Sequence, residues 1–317
     1  MNRPINTKEL KELVLDVICP SGIWQLSQDI ELLLNRHLKK LPSGDVTDQE
    51  ARFPTTKQGI HVYLDKFFTR HYFQLQNSLI DYFVSDDFLE KVLNGRLTIL
   101  DIGCGPAVFS IAATEMLNSL ISIMTETGLL SHRKKVELTY VLNDISPICL
   151  GTAKQMLNDY FEIGRNMHSI IPKVILGIDR GFPLNLKQLG RIAQNYGSFD
   201  IISLAYVIIP LVEQSNISGV ADNIFLLENL CSESGRVTIL VCKFIENIIR
   251  RLGRIVKVPV RQMEYTQRVY SSENTNETFT YLYYESVYKP RVKFYAKRLY
   301  DSLPNQAVAF AEITSAA

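Results

Sequence analysis

The sequence predicts an α/β fold, in which a mostly parallel sheet is closed by a C-terminal antiparallel hairpin and preceded by a helical cap. Three observations carry this. Residues 7–93 show helical apolar periodicity with little strand character. From Leu97 onward, short and nearly all-apolar strand-like runs alternate with helical stretches, as in βαβ units whose sheet is covered on both faces. After Arg254 the pattern changes to two longer alternating runs around a polar turn.

In chain order, "TKELKELVLDVI", "IWQLSQDIELLLNRHLKKL" and a long amphipathic "IHVYLDKFFTRHYFQLQNSLIDYFV" read as helices, with "PSGDVTDQEARFPTT" supplying the loop between the second and third. The strand-like runs are "LTILDI", "VELTYVLND", "KVILGID", "FDIISLA" and "GRVTILVC", each followed by a helical stretch, one of them starting at Ser146 and another near Ile224. The last two runs, "IVKVPVRQMEYTQRVY" and "TFTYLYYESVY", flank "SSENTNE" and predict the hairpin.

A chain of 317 residues with 46% hydrophobic content can bury a large core. Its 34 basic and 33 acidic side chains leave a net charge of +1, which favours no class of partner by itself. "MNRPINTKELKELVLDV" lacks the apolar core and cleavage site of a secretory signal, and no apolar stretch reaches the roughly 20 residues needed to cross a bilayer. The expectation is a cytoplasmic protein with no membrane partner. Cys19, Cys104, Cys149, Cys231 and Cys242 are widely spaced and odd in number, so neither a disulfide framework nor a metal site is expected.

The stretch "LTILDIGCGPAVFS", residues 97–110, is the most informative. A strand ends in an acid, turns through Gly103 and Gly105 and leads into a helix whose N-terminal N–H groups suit a negatively polarised ligand. A dinucleotide site would need Gly or Ala at Val108 and an acid about 20 residues on; the next strand-end acid is Asp144. A phosphate-binding P-loop would need Gly-Lys-Ser/Thr, which is absent.

The stretch "DIGCGPA" resembles motif I of the class I S-adenosylmethionine-dependent methyltransferases, with Ala107 in place of the last glycine. "YVLNDIS", "LGID", "GSFDIISLAYVI" and "SESGRVTILV" are similar, in order, to the second to fifth strand motifs of that family. The resemblance implies a Rossmann-like, mostly parallel, seven-stranded sheet and S-adenosyl-L-methionine as cofactor. It implies that Asp101, Gly103, Cys104, Gly105, Pro106, Ile145 and Ala205 bind the cofactor, Asp101 towards its methionine amino group, that Asp144 meets the ribose hydroxyls, and that Asp179 meets the adenine amino group. Asp144 in "NDIS" also fits a helix cap. Cys104 sits where a small side chain is required, so packing explains it better than nucleophilic chemistry. On the substrate side Tyr63, Arg70 and Tyr206 are candidates, while the spacing of the aromatics around "YLDKFFTRHY", His71 among them, fits a buried helix face.

The fourth strand ends in "LAYVIIP", without the (Asn/Asp)-Pro-Pro-(Tyr/Phe) run of enzymes that methylate exocyclic amino groups of bases. No catalytic base is legible. Residues 250–298 carry 11 basic and 4 acidic side chains, and eight of the 15 tyrosines lie in 265–300, which suits either an RNA-binding face or a charged sheet edge. Three functions therefore stay open: methyl transfer to RNA, methyl transfer to a small molecule beneath a helical lid, and cofactor binding without transfer. The expected division is a cap at 1–95, a cofactor domain at 96–289 and a tail at 290–317.

Overall fold

The computed structural model describes residues 6–20, 24, 26–164, 169–177, 180–207, 217–241, 256–269, 275–286 and 291–297. Its frame is an eight-stranded sheet in the order β3-β2-β1-β4-β5-β8-β7-β6. The strands are β1 (Arg96–Ile102), β2 (Val136–Asn143), β3 (Ile170–Leu176), β4 (Phe199–Ala205), β5 (Cys231–Val241), β6 (Val256–Val269), β7 (Thr275–Ser286) and β8 (Val292–Lys297). The six strands from β3 to β8 in this order pair parallel, which makes the sheet Rossmann-like. Two further pairings, β8 with β7 and β7 with β6, are antiparallel.

Eight strands stand where seven were expected, and the additional one comes from the segment read as a tail. Val292–Lys297 inserts between β5 and β7, with Val237 opposite Val292 and Tyr281 opposite Lys297. It is the only described strand that joins the β6–β7 pair to the rest of the sheet.

Period-2 alternation explains the two cores. In β1, Ile99 faces one side and Leu100 and Ile102 the other; in β4, Ile201 faces the first side and Ile202 and Leu204 the second. The first face is covered by α1 (Thr7–Ile18), α2 (Gln28–Lys40), α5 (Phe68–Phe83), α7 (Val108–Glu126) and α8 (Pro147–Ile163). The second is covered by α9 (Leu186–Tyr196) and α10 (Ile217–Glu228). The N-terminal helices thus share a core with the sheet, since α1 and α5 both pack on α7.

Helix α7 overturns the expectation that no segment is apolar enough to cross a bilayer. Its 19 residues meet that criterion by length and composition, and 78% of its apolar window is buried inside the protein. Glu115, Asn118, Ser119, Ser122 and Glu126 form a polar stripe at helical spacing, and most of the rest of the helix is buried in the layer it shares with α1, α5, α8 and β1.

Two local differences from the sequence reading shape the site. The loop between the second and third predicted helices contains a short helix, α3 (Asp48–Arg52), with Thr47 as its N-cap. The single long helix expected over 60–84 is two helices, α4 (Lys57–Lys66) and α5, broken at Phe67 (φ −118°, ψ −25°). Between α5 and β1 stands α6 (Asp86–Asn94), ended by Gly95 in the left-handed region.

Candidate functional site

In a doubly wound sheet, ligands bind outside the carboxyl ends of the strands, where the order reverses. Here that point is β1, which has β2 on one side and β4 on the other. A cavity of about 470 Å³ lies there, lined by residues from the ends of all three strands. This size falls within the range of small-molecule sites, about 300–1,000 Å³.

The floor is the turn after β1. Gly103, Gly105 and Ala107 have φ values of 64°, 50° and 62°, so alternate positions are left-handed. Glycine adopts this conformation freely, and an L-residue with a Cβ is strained in it by roughly 1–2 kcal/mol. Ala107 stands where the motif has its third glycine, and it carries that strain. Gly103 is needed for a second reason, since a Cβ there would lie 2.2 Å from Val207 Cγ2. Around Gly105 a Cβ would meet nothing within 4 Å, so the chain there faces open space. Ala107 gives α7 no side-chain cap, and the first turn of that helix reaches the cavity through Val108 and Phe109.

Two carboxylates support the turn. Asp101 is buried at the end of β1 and accepts a hydrogen bond from the Ser110 hydroxyl at 2.8 Å. Burial pushes its carboxyl up to about 7, against the pull of that hydrogen bond, and the charge of Asp144 adds to the rise. Asp144, just past β2, accepts from Gly105 N–H at Oδ2 (2.9 Å) and from Ser146 N–H at Oδ1 (2.8 Å). Burial raises its pKa too, while these backbone donors work the other way. The N-cap of α8 is Ser146, whose hydroxyl accepts from Cys149 N–H, so Asp144 is not the helix cap that "NDIS" also suggested. Ile145 beside it is 67% exposed, an uncovered apolar side chain on the cavity wall.

The roof comes from the segment read as a loop. Arg52, Phe53, Pro54 and Thr55 line the cavity, and Cys149 Sγ–H donates to Pro54 C=O at 2.9 Å. The Glu50 carboxylate accepts from the N–H and hydroxyl groups of both Thr55 and Thr56, between 2.7 and 2.8 Å. Some burial would raise its pKa, but these four donors outweigh it and hold the carboxyl below its ordinary value. The roof is thereby a preformed element.

Part of the lining is aromatic. Tyr63 of α4 and His71 of α5 share a hydrogen bond of 2.8 Å between Oη and Nδ1. Residues eight apart on one straight helix would be separated by about 12 Å of rise, so the break at Phe67 is what brings them together. The His71 ring stacks on Tyr206, with centroids 4.0 Å apart and planes at 26°. Tyr206, just past β4, is left-handed at φ 63°, and its hydroxyl donates to buried Gln74 Oε1. A bulky residue in this region is rare, and such strain clusters at binding sites.

Ten residues singled out from the sequence thus line one cavity: Asp101, Gly103, Cys104, Gly105, Pro106, Asp144, Ile145, Ala205, Tyr63 and Tyr206. Arg70 is half-buried on α5 and does not line it. Asp179 lies outside the described residues. Burial raises the Cys104 thiol well above its ordinary range, which disfavours the thiolate and any nucleophilic role. Sequence reasoning missed the roof residues, took His71 for core alone, and passed over Arg180, which borders both this cavity and a recess of about 350 Å³ beside α9. Among the described residues, no three His, Cys, Asp or Glu side chains gather into a group that could hold a metal ion.

No family model and no curated protein matches the sequence. Among solved structures, the chain is similar to one assigned as a protein-L-isoaspartate O-methyltransferase (beta-aspartate methyltransferase) of Plasmodium falciparum, in complex with S-adenosyl-L-homocysteine. The identity is 10%, the match covers 94% of this chain and 96% of the other, and the TM-score is 0.33.

Proposed function

We propose that this chain binds S-adenosyl-L-methionine at the ends of β1, β2 and β4 and transfers its methyl group to an acceptor enclosed beneath the α3–α4 roof. The observation that carries this is the left-handed Gly103–Gly105–Ala107 turn, joined to Asp144 by a hydrogen bond and opening on one cavity. The donor set fits the ligand. A carboxylate has about four lone-pair sites, so Asp144 keeps room to accept from the ribose beside its backbone donors. The exposed face of Ile145 suits a flat apolar ring. Asp101, half-ionised near neutral pH, would be drawn to its charged form by the ligand's ammonium group. The cofactor supplies an electrophilic methyl carbon, and the chain's task is to align the acceptor with it in a partly dry site.

On this reading residues 1–95 form the cap, the cofactor domain that was expected to end at 289 runs on to Lys297 with β8, and the protein acts in the cytoplasm without a metal. Asp179 is assigned to the adenine amino group, and Tyr63, Arg70 and Tyr206 to the acceptor side. The roof favours a small-molecule acceptor. RNA is the second reading, favoured by the 11 basic side chains in residues 250–298.

The test is calorimetry with S-adenosyl-L-methionine, S-adenosyl-L-homocysteine and NAD, followed by transfer of labelled methyl into a cell extract split into RNA, protein and metabolite fractions. Binding of both sulfur nucleosides but not NAD is expected, with label in metabolites. Label confined to RNA selects the second reading. No binding of either sulfur nucleoside overturns both.

A further inference from the structure

We propose that the recess beside α9 is a second binding site, built for the phosphate monoester group of a small organic molecule. It stands apart from the reading under Proposed function, because its test contains no cofactor. The recess has a volume of about 350 Å³, again within the range of small-molecule sites, and among the described residues it shares Arg180 alone with the larger cavity. Local sequence builds it. Asn185 opens α9 with a reciprocal capping box, in which its side chain accepts from Gln188 N–H at 2.9 Å and Gln188 Oε1 accepts from Asn185 N–H at 2.8 Å. Leu189 and Ile192 are buried in the second core, which fixes the rotation of the helix. Positions 188, 191, 192 and 195 then recur at the three- and four-residue spacing of one helix face, and that face, with Tyr196, lines the recess. Arg180 completes the lining. Its C=O accepts from Asn143 Nδ2–H at 3.3 Å, which ties it to the end of β2.

The chemistry of this lining is one-sided. It holds two arginines, Arg180 and Arg191, and among the described residues no Asp or Glu, whereas the larger cavity has Asp101 and Asp144. Two like charges in one recess repel each other, so an anion seated between them removes a cost as well as adding attraction. The other polar groups supply donors. The capping box takes Gln188 Oε1, which leaves that side chain its amide N–H groups to offer, and Asn195 and Tyr196 add an amide and a hydroxyl. Each guanidinium is a planar fork that matches phosphate oxygens in pairs. A phosphate monoester carries about −1.5 to −2 charges at neutral pH and so balances two guanidiniums, where a carboxylate balances one. Ile192 and the Tyr196 ring, which packs against the second core, give the ester's organic part an apolar side.

The test is calorimetry of the full-length protein at about 0.15 M ionic strength, where diffuse surface attraction is screened, with phenyl phosphate and benzoate as probes. Phenyl phosphate is expected to bind, and benzoate, with the same ring and a single charge, to bind about tenfold or more weakly. Arg180→Gln and Arg191→Gln should each weaken phenyl phosphate by about tenfold or more, the range for a lost charge-assisted hydrogen bond. Lys187→Gln, which removes a cation of the same helix outside the lining, should leave binding unchanged. In the wild type the side-chain amide resonances of Gln188 and Asn195 should move as phenyl phosphate is added, and they decide the matter if an arginine variant fails to fold. The proposal is overturned by absence of phenyl phosphate binding, by benzoate binding equally well, by equal weakening in all three variants, or by binding that leaves both amides unmoved. A single-stranded RNA oligomer is titrated alongside. RNA binding that both arginine variants weaken, with no phenyl phosphate bound, overturns it in favour of a nucleic-acid backbone contact. Failure to bind S-adenosyl-L-methionine would overturn the reading under Proposed function and leave this site standing.

Discussion

The Gly105 backbone N–H donates to Asp144 Oδ2 at 2.9 Å, so the turn after β1 and the end of β2 behave as one unit. Asp144→Ala should therefore do two things. Loss of the acceptor for Gly105 and Ser146 should lower stability by roughly 1–2 kcal/mol, read from denaturant unfolding. Loss of a carboxylate that accepts hydroxyls should weaken S-adenosyl-L-methionine binding by about 2–3 kcal/mol, read by calorimetry. A variant that unfolds earlier yet binds like the wild type would remove Asp144 from the ligand's partners.

Asp101 makes a pH prediction. Its carboxyl is raised from its ordinary 3.8 to about 7 by burial, so the folded protein holds a proton that the unfolded chain releases. Its favourable contribution is full below about pH 4 and is lost as the pH rises through 7. Asp101→Asn, with Ser203 opposite it in register on β4, should stabilise the fold by about 1–3 kcal/mol at pH 8 and by little at pH 4.5. Unfolding curves at the two pH values check this, and a larger gain at low pH would contradict it.

Gly103 and Gly105 should respond differently to alanine. Both substitutions meet a left-handed backbone, at a cost of roughly 1 kcal/mol each. Only at position 103 does the methyl group also collide with Val207, so Gly103→Ala should melt well below Gly105→Ala. Gly105→Ala should instead reduce ligand affinity, because its methyl group enters the space that the ligand approaches. Thermal melting and calorimetry on the pair separate the two effects; equal melting temperatures would refute the first.

Replacing Ala107 by glycine relieves a Cβ from a φ of 62°. The added freedom of the unfolded chain takes back part of the gain, leaving about 0.5–1 kcal/mol of stabilisation. Denaturant midpoints would show it, and a drop in stability would mean that the methyl group of this buried residue contributes packing worth more than the strain.

The legible parts of the molecule are those governed by local pattern. The apolar runs of β1, β2, β4 and β5 lie where the sequence reading has them, because a strand buried on both faces leaves an unbroken hydrophobic record. Ser146 ahead of Pro147 marks the start of α8 for the same kind of reason. The residues of the glycine turn and of β2's end were legible because chemistry narrows the choice of side chain there. What stayed hidden depends on distant partners. "VKFYAK" becomes β8 only through β5, more than 50 residues away, and its lysines read as a charged tail. The break at Phe67 has no glycine or proline to announce it, so His71 kept the periodicity of a core residue although it reaches the cavity. The roof is held by one glutamate in four hydrogen bonds, and nothing in the spacing of "DQEARFPTT" announces that.

The late position of β8 has a consequence for synthesis. Each of β2 to β5, once made, meets a neighbour made before it, but the outer edge of β5 finds its partner only after residue 297 has been made. Until then a row of unsatisfied N–H and C=O groups stays open, as an edge on which other chains can pair. The β6 and β7 run, made in the interval, can pair within itself while it waits for the strand that ties it to the sheet. Sheet completion is thus the last event of assembly, and a nascent chain halted near residue 290 would carry all the residues assigned to the cavity while lacking the strand that closes its frame.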